Sequence, residues 1–339
     1  MTTINTMNTD ANATRRHGRI EATCSCCRHD FPIEIMTRTI SRKRGGRASL
    51  MCPTCAARNL WYHTANEKIM GTAKKNGVLC GIEFETSFSD DKLRNAMFEY
   101  GFIPTHDSSL RSDGYGARYG RDRNTCEYVS AIMQGLNRPS KFAQTCEDLM
   151  NEGILKVNSS CGTHFHVSIN SMKDANGKNT GKGSYMDMVR RFYNSLFIPL
   201  CEEMKADRET TERVFGRYFN GYADTIDWNS KQEEHDDRYY FVNCLANNNI
   251  EFRINKFVSA KQYQNLMKME VEMVQCIVRN FCEHFNDTEI DTRRYYRKSS
   301  DGSPKLDVNG NRIPSKTEYR KHKADVAAKK LVGIYKKYQ

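Results

Sequence analysis

The sequence predicts an α+β chain: one sheet whose apolar back packs on helices, preceded by a small zinc-ribbon-like module. Two observations carry this. Strand-like segments recur with apolar residues on one face and ionisable residues on the other, and two C-x2-C pairs stand near the start of the chain.

The alternation is clearest at 81–85. Successive side chains of an extended segment point to opposite faces. Ile82 and Phe84 therefore share one face, and Glu83 and Glu85 share the other. Like charges that close repel unless a cation or a proton sits between them. A solvated edge strand would also tolerate two glutamates, but the pattern recurs. At 163–169, Phe165, Val167 and Ile169 oppose His164 and His166. At 250–254, three apolar residues oppose Glu251 and Arg253. A weaker fourth member at 126–130 contributes Glu127. Buried charges need partners or a metal, and this set supplies both signs.

The chain has 339 residues, enough for a sizeable core and a second small module. Its hydrophobic fraction of 38% and charged fraction of 27% fit a globular protein. No segment approaches the roughly 20 apolar residues of a membrane helix, and residues 1–19 lack the apolar core of a secretory signal. The expectation is a cytoplasmic protein with no membrane partner. A net charge of +11 suits nucleic acid, nucleotide phosphates or acidic substrates without choosing among them. Thirteen cysteines in such a chain read as metal ligands plus reduced core thiols.

Residues 1–19 bury too little to order themselves. The module at 20–58 holds Cys24, Cys27, Cys52 and Cys55, two knuckles that suit a tetrahedral, structural Zn²⁺. Cys26 and His29 are alternative ligands; incidental reduced cysteines are the plain alternative. A linker helix is expected at 59–77, and the main domain at 78–290. Within it, Ser89 or Asp90 caps a helix carrying Leu93 and Met97 that stops at Gly101. A loop at 111–123 places Arg111, Arg118, Arg121 and Arg123 among glycines and tyrosines, which suits phosphates or plain solvent. Ser140 starts another helix, closed by Gly153. One long amphipathic helix is expected to end at Met204, a strand over 238–243 to pair with 250–254, and a long helix to cover 259–285. Residues 291–339 read as a basic extension.

Taken in order, the segments at 81–85, 107–110, 126–130, 161–167 and 250–253 resemble the amidoligase family of the carboxylate–amine ligase superfamily, whose better-known relatives are glutamine synthetase and glutamate–cysteine ligase. The resemblance covers about residues 78–285. It implies a curved antiparallel sheet with helices on its outer face and ATP with Mg²⁺ or Mn²⁺ on the concave charged face. It implies a ligase that phosphorylates a carboxylate and lets an amine displace the phosphate. On this analogy Glu83, Glu85 and Glu127 hold divalent metal, and His164 and His166 contact metal, phosphate or substrate. Arg253 neutralises the phosphoryl group beside Glu251, and Asp107 and Ser108 lie at the substrate end.

The residue types suit that chemistry by themselves. Mg²⁺ takes oxygen ligands and bridges nucleotide phosphates. A guanidinium grips two phosphate oxygens at once, and phosphoryl transfer is chiefly positioning plus charge neutralisation. Cys161 beside the histidines invites a Cys/His nucleophile, which has no need of a carboxylate-rich face. Two other classes compete. A metal-dependent hydrolase uses the same His, Glu and Arg types without nucleotide. A zinc-containing nucleic-acid-binding protein explains the knuckles and the basic tail, but not the ionisable strand faces. The expected partners are a carboxylate and an amine, from a metabolite, a peptide or a protein, plus a weak, salt-sensitive nucleic-acid contact through the tail.

Overall fold

A computed structural model describes residues 13–16, 19–25, 29–40, 48–72, 78–105, 107, 109–110, 125–169, 184–221, 223–226, 240–244, 249–282 and 290–339. Cys26, Cys27, Ser108 and the arginine loop at 111–123 lie outside the described residues. In chain order the strands and helices are β1 (Ala13–Arg16), β2 (Arg19–Thr23), β3 (Asp30–Pro32), β4 (Thr37–Ile40), β5 (Ala48–Met51), α1 (Pro53–Thr72), β6 (Leu79–Thr86), α2 (Asp91–Glu99), β7 (Phe102–Thr105) and β8 (Cys126–Ser130). There follow β9 (Met133–Gln134), α3 (Asn137–Asn151), β10 (Thr163–Ser168), α4 (Ser184–Arg191), α5 (Tyr193–Ala206), α6 (Arg208–Phe215), β11 (Val242–Cys244), β12 (Asn249–Phe252), α7 (Ala260–Ile277) and α8 (Lys316–Lys337). The large sheet is open and antiparallel, with order β11-β12-β10-β6-β8-β7 and β9 beside β6. This is a mixed fold with a large antiparallel sheet, not a barrel.

The chain divides into two units. The first comprises 1–71, 84–131 and 152–161. Its N-terminal part is a three-stranded β1-β2-β3 sheet and a β4-β5 hairpin; residues 13–16, expected to be unstructured, form β1 because they pair antiparallel with β2. Helix α1 starts at Pro53 rather than at Asn59, because proline suits the first helical position, where its missing N–H costs nothing. It meets α2 through Trp61 and Phe98, whose ring centroids are 5.7 Å apart, and through Arg58, which bonds Asn95 at 2.8 Å. Asp90 caps α2 by accepting the Leu93 N–H at 2.8 Å, and Leu93 and Met97 fill the core. Gly101, at φ 82°, takes the chain out of the helix. Strand β7 then pairs with β8 so that Thr105 faces Glu127.

The second unit comprises 72–83, 132–151 and 162–339. Strand β12 pairs with β10 on one side and β11 on the other. Helix α7 lies on β10 and also packs against α3, α6 and α8. The single long helix expected to end at Met204 is two helices. Phe192, at φ −110° and ψ 20°, breaks the spiral between α4 and α5. Ahead of β12 the described strand is Val242–Cys244, Tyr240 forms an isolated bridge to Asp224, and residues 238 and 239 of the expected strand lie outside the described residues. Helix α7 ends at Ile277 in a π-helical turn, Val278–Cys282.

The basic C-terminal stretch carries a packed helix. Ala324, Ala327, Ala328, Leu331 and Tyr335 of α8 are buried, and the helix lies against α5 and α7. Small residues let the backbones approach, and the lysines stay on the outer side. Tyr335 shares a 2.9 Å hydrogen bond with Thr211 and stacks on Phe215. Lys336 and Lys337 pair with Glu203 and Glu272 at 2.9 and 2.8 Å. At the end of α6, Gly216 has φ 78°. A Cβ there would stand 2.2 Å from the Lys256 carbonyl oxygen, so only glycine fits. No described helix is long and apolar enough to cross a membrane.

Leu331 is fully buried. Leu331→Ala should therefore cost about 2–5 kcal/mol of unfolding free energy, as cavity-forming core truncations do. Lys329→Ala, on the exposed side, should change it by less than about 0.5 kcal/mol. Urea denaturation of the two variants checks whether α8 is a core element or an appendage.

Candidate functional site

Register builds the site. In the antiparallel pairings, Glu251 of β12 stands opposite His166 of β10 and opposite Asn243 of β11. Directly opposed residues share a face, so three strands place Asn243, Glu251 and His166 in one row. His164 belongs to the same face of β10, two residues along. Glu83 of β6 completes the group.

The contacts are close. His164 Nδ1 is 3.2 Å from Glu83 Oε2 and 3.3 Å from Glu251 Oε1. His166 Nε2 is 3.4 Å from Glu83 Oε1. Arg253 Nη1 donates to Glu251 Oε1 at 2.6 Å, and Asn243 Nδ2 donates to Glu251 Oε2 at 3.0 Å. Arg217 in turn donates to the backbone carbonyls of Arg253 and Ile254, fixing the chain that carries Arg253. The Glu251 side chain is 3% exposed and that of Glu83 is 28% exposed, so Glu83 is the carboxylate open to an arriving ligand.

Burial alone would raise the Glu83 carboxyl. Hydrogen bonding and charge from His164 and His166 outweigh it and hold Glu83 well below the usual carboxylate range. Burial works the other way on His166, disfavouring its cation. Glu83, and more remotely Glu251, overcome that penalty and push the imidazole up, against a smaller opposing effect of Arg253. Donor atoms of Glu83, His166 and Glu251 all lie within 4.8 Å of one another. Two carboxylates and an imidazole at that spacing suit a divalent cation, and the guanidinium beside them suits an anion.

The first unit holds a second carboxylate group. Glu85, Asp107 and Glu127 place oxygens within 4.8 Å of one another. Thr105, opposite Glu127, donates to its Oε2 at 2.6 Å. Asp107 accepts the Ser109 N–H at 2.7 Å. The sequence named Glu83, Glu85 and Glu127 as holders of divalent metal. In the fold Glu83 stands with the histidines and Glu251, and Glu85 with Asp107 and Glu127.

At the N-terminal end, Cys24, Cys52 and Cys55 are buried with their sulfurs within 4.8 Å. Four thiolates at ~2.3 Å from a tetrahedral zinc stand about 3.8 Å apart, so the spacing fits. The Cys52 N–H points to Cys24 Sγ at 3.3 Å and the Cys55 N–H to Cys52 Sγ at 3.5 Å. Cys27 lies outside the described residues. His29, the alternative ligand, has its Nε2 3.2 Å from Asp91.

Asn243 and Arg217 were not singled out from the sequence. Asn243 has a signal only once the register of β11 on β12 is known. Arg217 acts on backbone, which no side-chain pattern reveals.

No family model matches this chain, and no curated protein matches it. Among solved structures it is similar to Plasmodium falciparum glutamine synthetase, determined by cryo-electron microscopy. The identity is 11% and the TM-score 0.30, over 90% of this chain and 80% of that one. A TM-score of 0.30 is too low to transfer a fold or an activity.

In chelator-treated protein, Glu83→Gln removes the charge that raises His166 while keeping its shape. The His166 titration midpoint should fall, read by NMR of the ring protons. The wild-type contribution to stability is complete below the unfolded value of about 6.5 and fades as pH rises through the folded midpoint. The variant should lose that pH-dependent increment. An unshifted His166 titration would show that Glu83 is not the charge acting on it.

Proposed function

We propose that this chain is an ATP-dependent carboxylate–amine ligase. One observation supports the reading above others: Glu83, His164, His166, Glu251 and Arg253 converge from neighbouring strands into a mostly buried group of mixed charge. A carboxylate substrate attacks the γ-phosphorus of ATP, ADP leaves, and an acyl phosphate forms. The amine nitrogen then attacks the acyl carbon, phosphate departs with the C–O bonding pair, and the ammonium proton passes to a nearby base. Glu83 and Glu251 would hold Mg²⁺ or Mn²⁺ with His166; Glu85, Asp107 and Glu127 would hold a second ion. Such ions neutralise phosphate charge. Arg253, braced by Glu251 and Arg217, would stabilise the phosphoryl group as charge moves. Cys24, Cys27, Cys52 and Cys55 would bind a structural zinc with no open position.

A metal-dependent hydrolase is the second reading, favoured by the imidazole between two carboxylates, a ligand set that suits a hydrolytic metal ion. Nucleotide dependence separates the two.

The oxygen atoms provide the test. With a carboxylate substrate, found by screening for a condensation product formed only with ATP, labelled with heavy oxygen, one label must appear in inorganic phosphate. Phosphate whose one new oxygen comes from water, with no label from the substrate, or turnover without nucleotide, would replace the ligase with a hydrolase. Arg253→Ala should lose ~10²–10³ in rate while nucleotide affinity falls much less.

Purified protein should hold about one zinc per chain. Cys52→Ser should lower stability more than it lowers the specific activity of the folded fraction. Folded, reduced protein without zinc would remove the metal from this account.

A further inference from the structure

A groove between α7 and α8 in the second unit takes no part in the candidate site. Two contacts bracket it. Lys337 of α8 pairs with Glu272 of α7 at 2.8 Å, and Lys330 donates to the side-chain oxygen of Asn280, in the π turn after α7. The two helices therefore run antiparallel here, and two turns of α8, roughly 10 Å, separate the two lysines. The groove encloses a cavity of about 560 Å³.

Its floor is odd for a helix. Gly333 lines the cavity from the interior of α8, where glycine is a worse helix former than any residue but proline. Packing does not demand it, since a Cβ at 333 would meet nothing within 4 Å. Gly216 is the opposite case, closed off by the Lys256 carbonyl. A helical glycine beneath open space leaves backbone bare for the close approach of a ligand. The walls are cationic. Arg279, Lys329, Lys330 and Lys337 line the cavity with one acid, Glu272, which already pairs with Lys337. Asn280 donates to the Cys276 carbonyl at 2.9 Å and, being neutral, orients Lys330 without cancelling its charge. Among the described residues no acid pairs with Arg279, Lys329 or Lys330. Cations gathered around one space repel unless an anion sits between them.

We propose that this groove binds a small polyphosphate, inorganic or nucleoside-linked, against the bare backbone of Gly333. The Arg279 guanidinium can fork onto two phosphate oxygens, and the two lysines supply point charges to the remaining ones. Three uncompensated cations outweigh a single carboxylate and match an anion with two or more phosphates. Small-molecule pockets commonly measure about 300–1,000 Å³, so the cavity admits a whole nucleotide. The Lys330–Asn280 and Lys337–Glu272 contacts bound its length, which suits a short anion and not a continuous polynucleotide. None of these residues belongs to the candidate site, so the proposal stands or falls apart from the ligase reading.

The test is calorimetric titration of the full chain with inorganic tripolyphosphate and, separately, with ATP, in low-salt buffer without divalent cations. Either anion should bind saturably, and the tighter of the two names the source. Arg279→Gln combined with Lys329→Gln should weaken binding about ten-fold or more, as lost hydrogen bonds to charged groups do. Arg297→Gln combined with Lys298→Gln removes the same charge elsewhere and should leave it unchanged, as should Arg253→Ala at the candidate site. Gly333→Leu should keep or raise the thermal midpoint, because it replaces a poor helix former, yet weaken binding several-fold by filling the floor. Absence of saturable binding, or equal weakening by both double variants, would overturn the proposal. So would loss of binding in Arg253→Ala alone, which would move the anion to the candidate site. A deoxythymidine oligonucleotide that binds where neither polyphosphate does would overturn it in favour of nucleic acid. Unchanged binding in Gly333→Leu would overturn it too, and if that variant does not fold the charge variants decide.

Discussion

The pairing of β12 between β10 and β11 is the constraint on which the candidate site depends. Strand side chains repeat every two residues, so a slip of one position would turn Glu251 and Arg253 into the apolar core and bring Ile250 and Phe252 out. The apolar residues prevent it. Ile250, Phe252, Phe165 and Val167 are all buried, and they bond in register with one another. The hydrophobic face thus sets the geometry of the charged face. Neither could be altered alone.

Two glutamates of the second unit show how neighbours decide the state of a buried acid. Glu83 meets two imidazoles, and its carboxyl is held low. Glu270 meets one amide, and its carboxyl is driven high. The residue type is the same and the desolvation acts in the same sense. The difference lies in what the adjoining strands and helices present. The imidazoles hold one group ionised, while burial favours the protonated form of the other.

Much of this was legible in the sequence, and the limits are physical. Alternation of apolar and ionisable residues revealed Glu83, His164, His166, Glu251 and Arg253, because a period of two is a local property of the chain. Alternation does not say which acids share a partner. That depends on which strands are neighbours, and so Glu85 and Glu127 were grouped with Glu83 although they gather with Asp107. The packing of helix α8 escaped notice for another reason. Its buried face rests on alanines among lysines, a weak periodic signal, and its packing comes from close approach more than from large apolar side chains. The break at Phe192 was hidden too, since amphipathic periodicity continues through it.

Gly216 carries a consequence that reaches beyond its own turn. The Lys256 N–H bonds the Phe215 carbonyl at 2.7 Å, and the Lys256 carbonyl occupies the space where a side chain at 216 would begin. Three residues upstream of Lys256 is Arg253. Any larger residue at 216 must displace the segment that carries the guanidinium, though it touches no reacting group. In a mutational screen scored by activity alone, Gly216 would rank among the chemical residues. Its intolerance would record a steric boundary condition on the backbone of the candidate site, which soluble expression and folding yield would separate from chemistry.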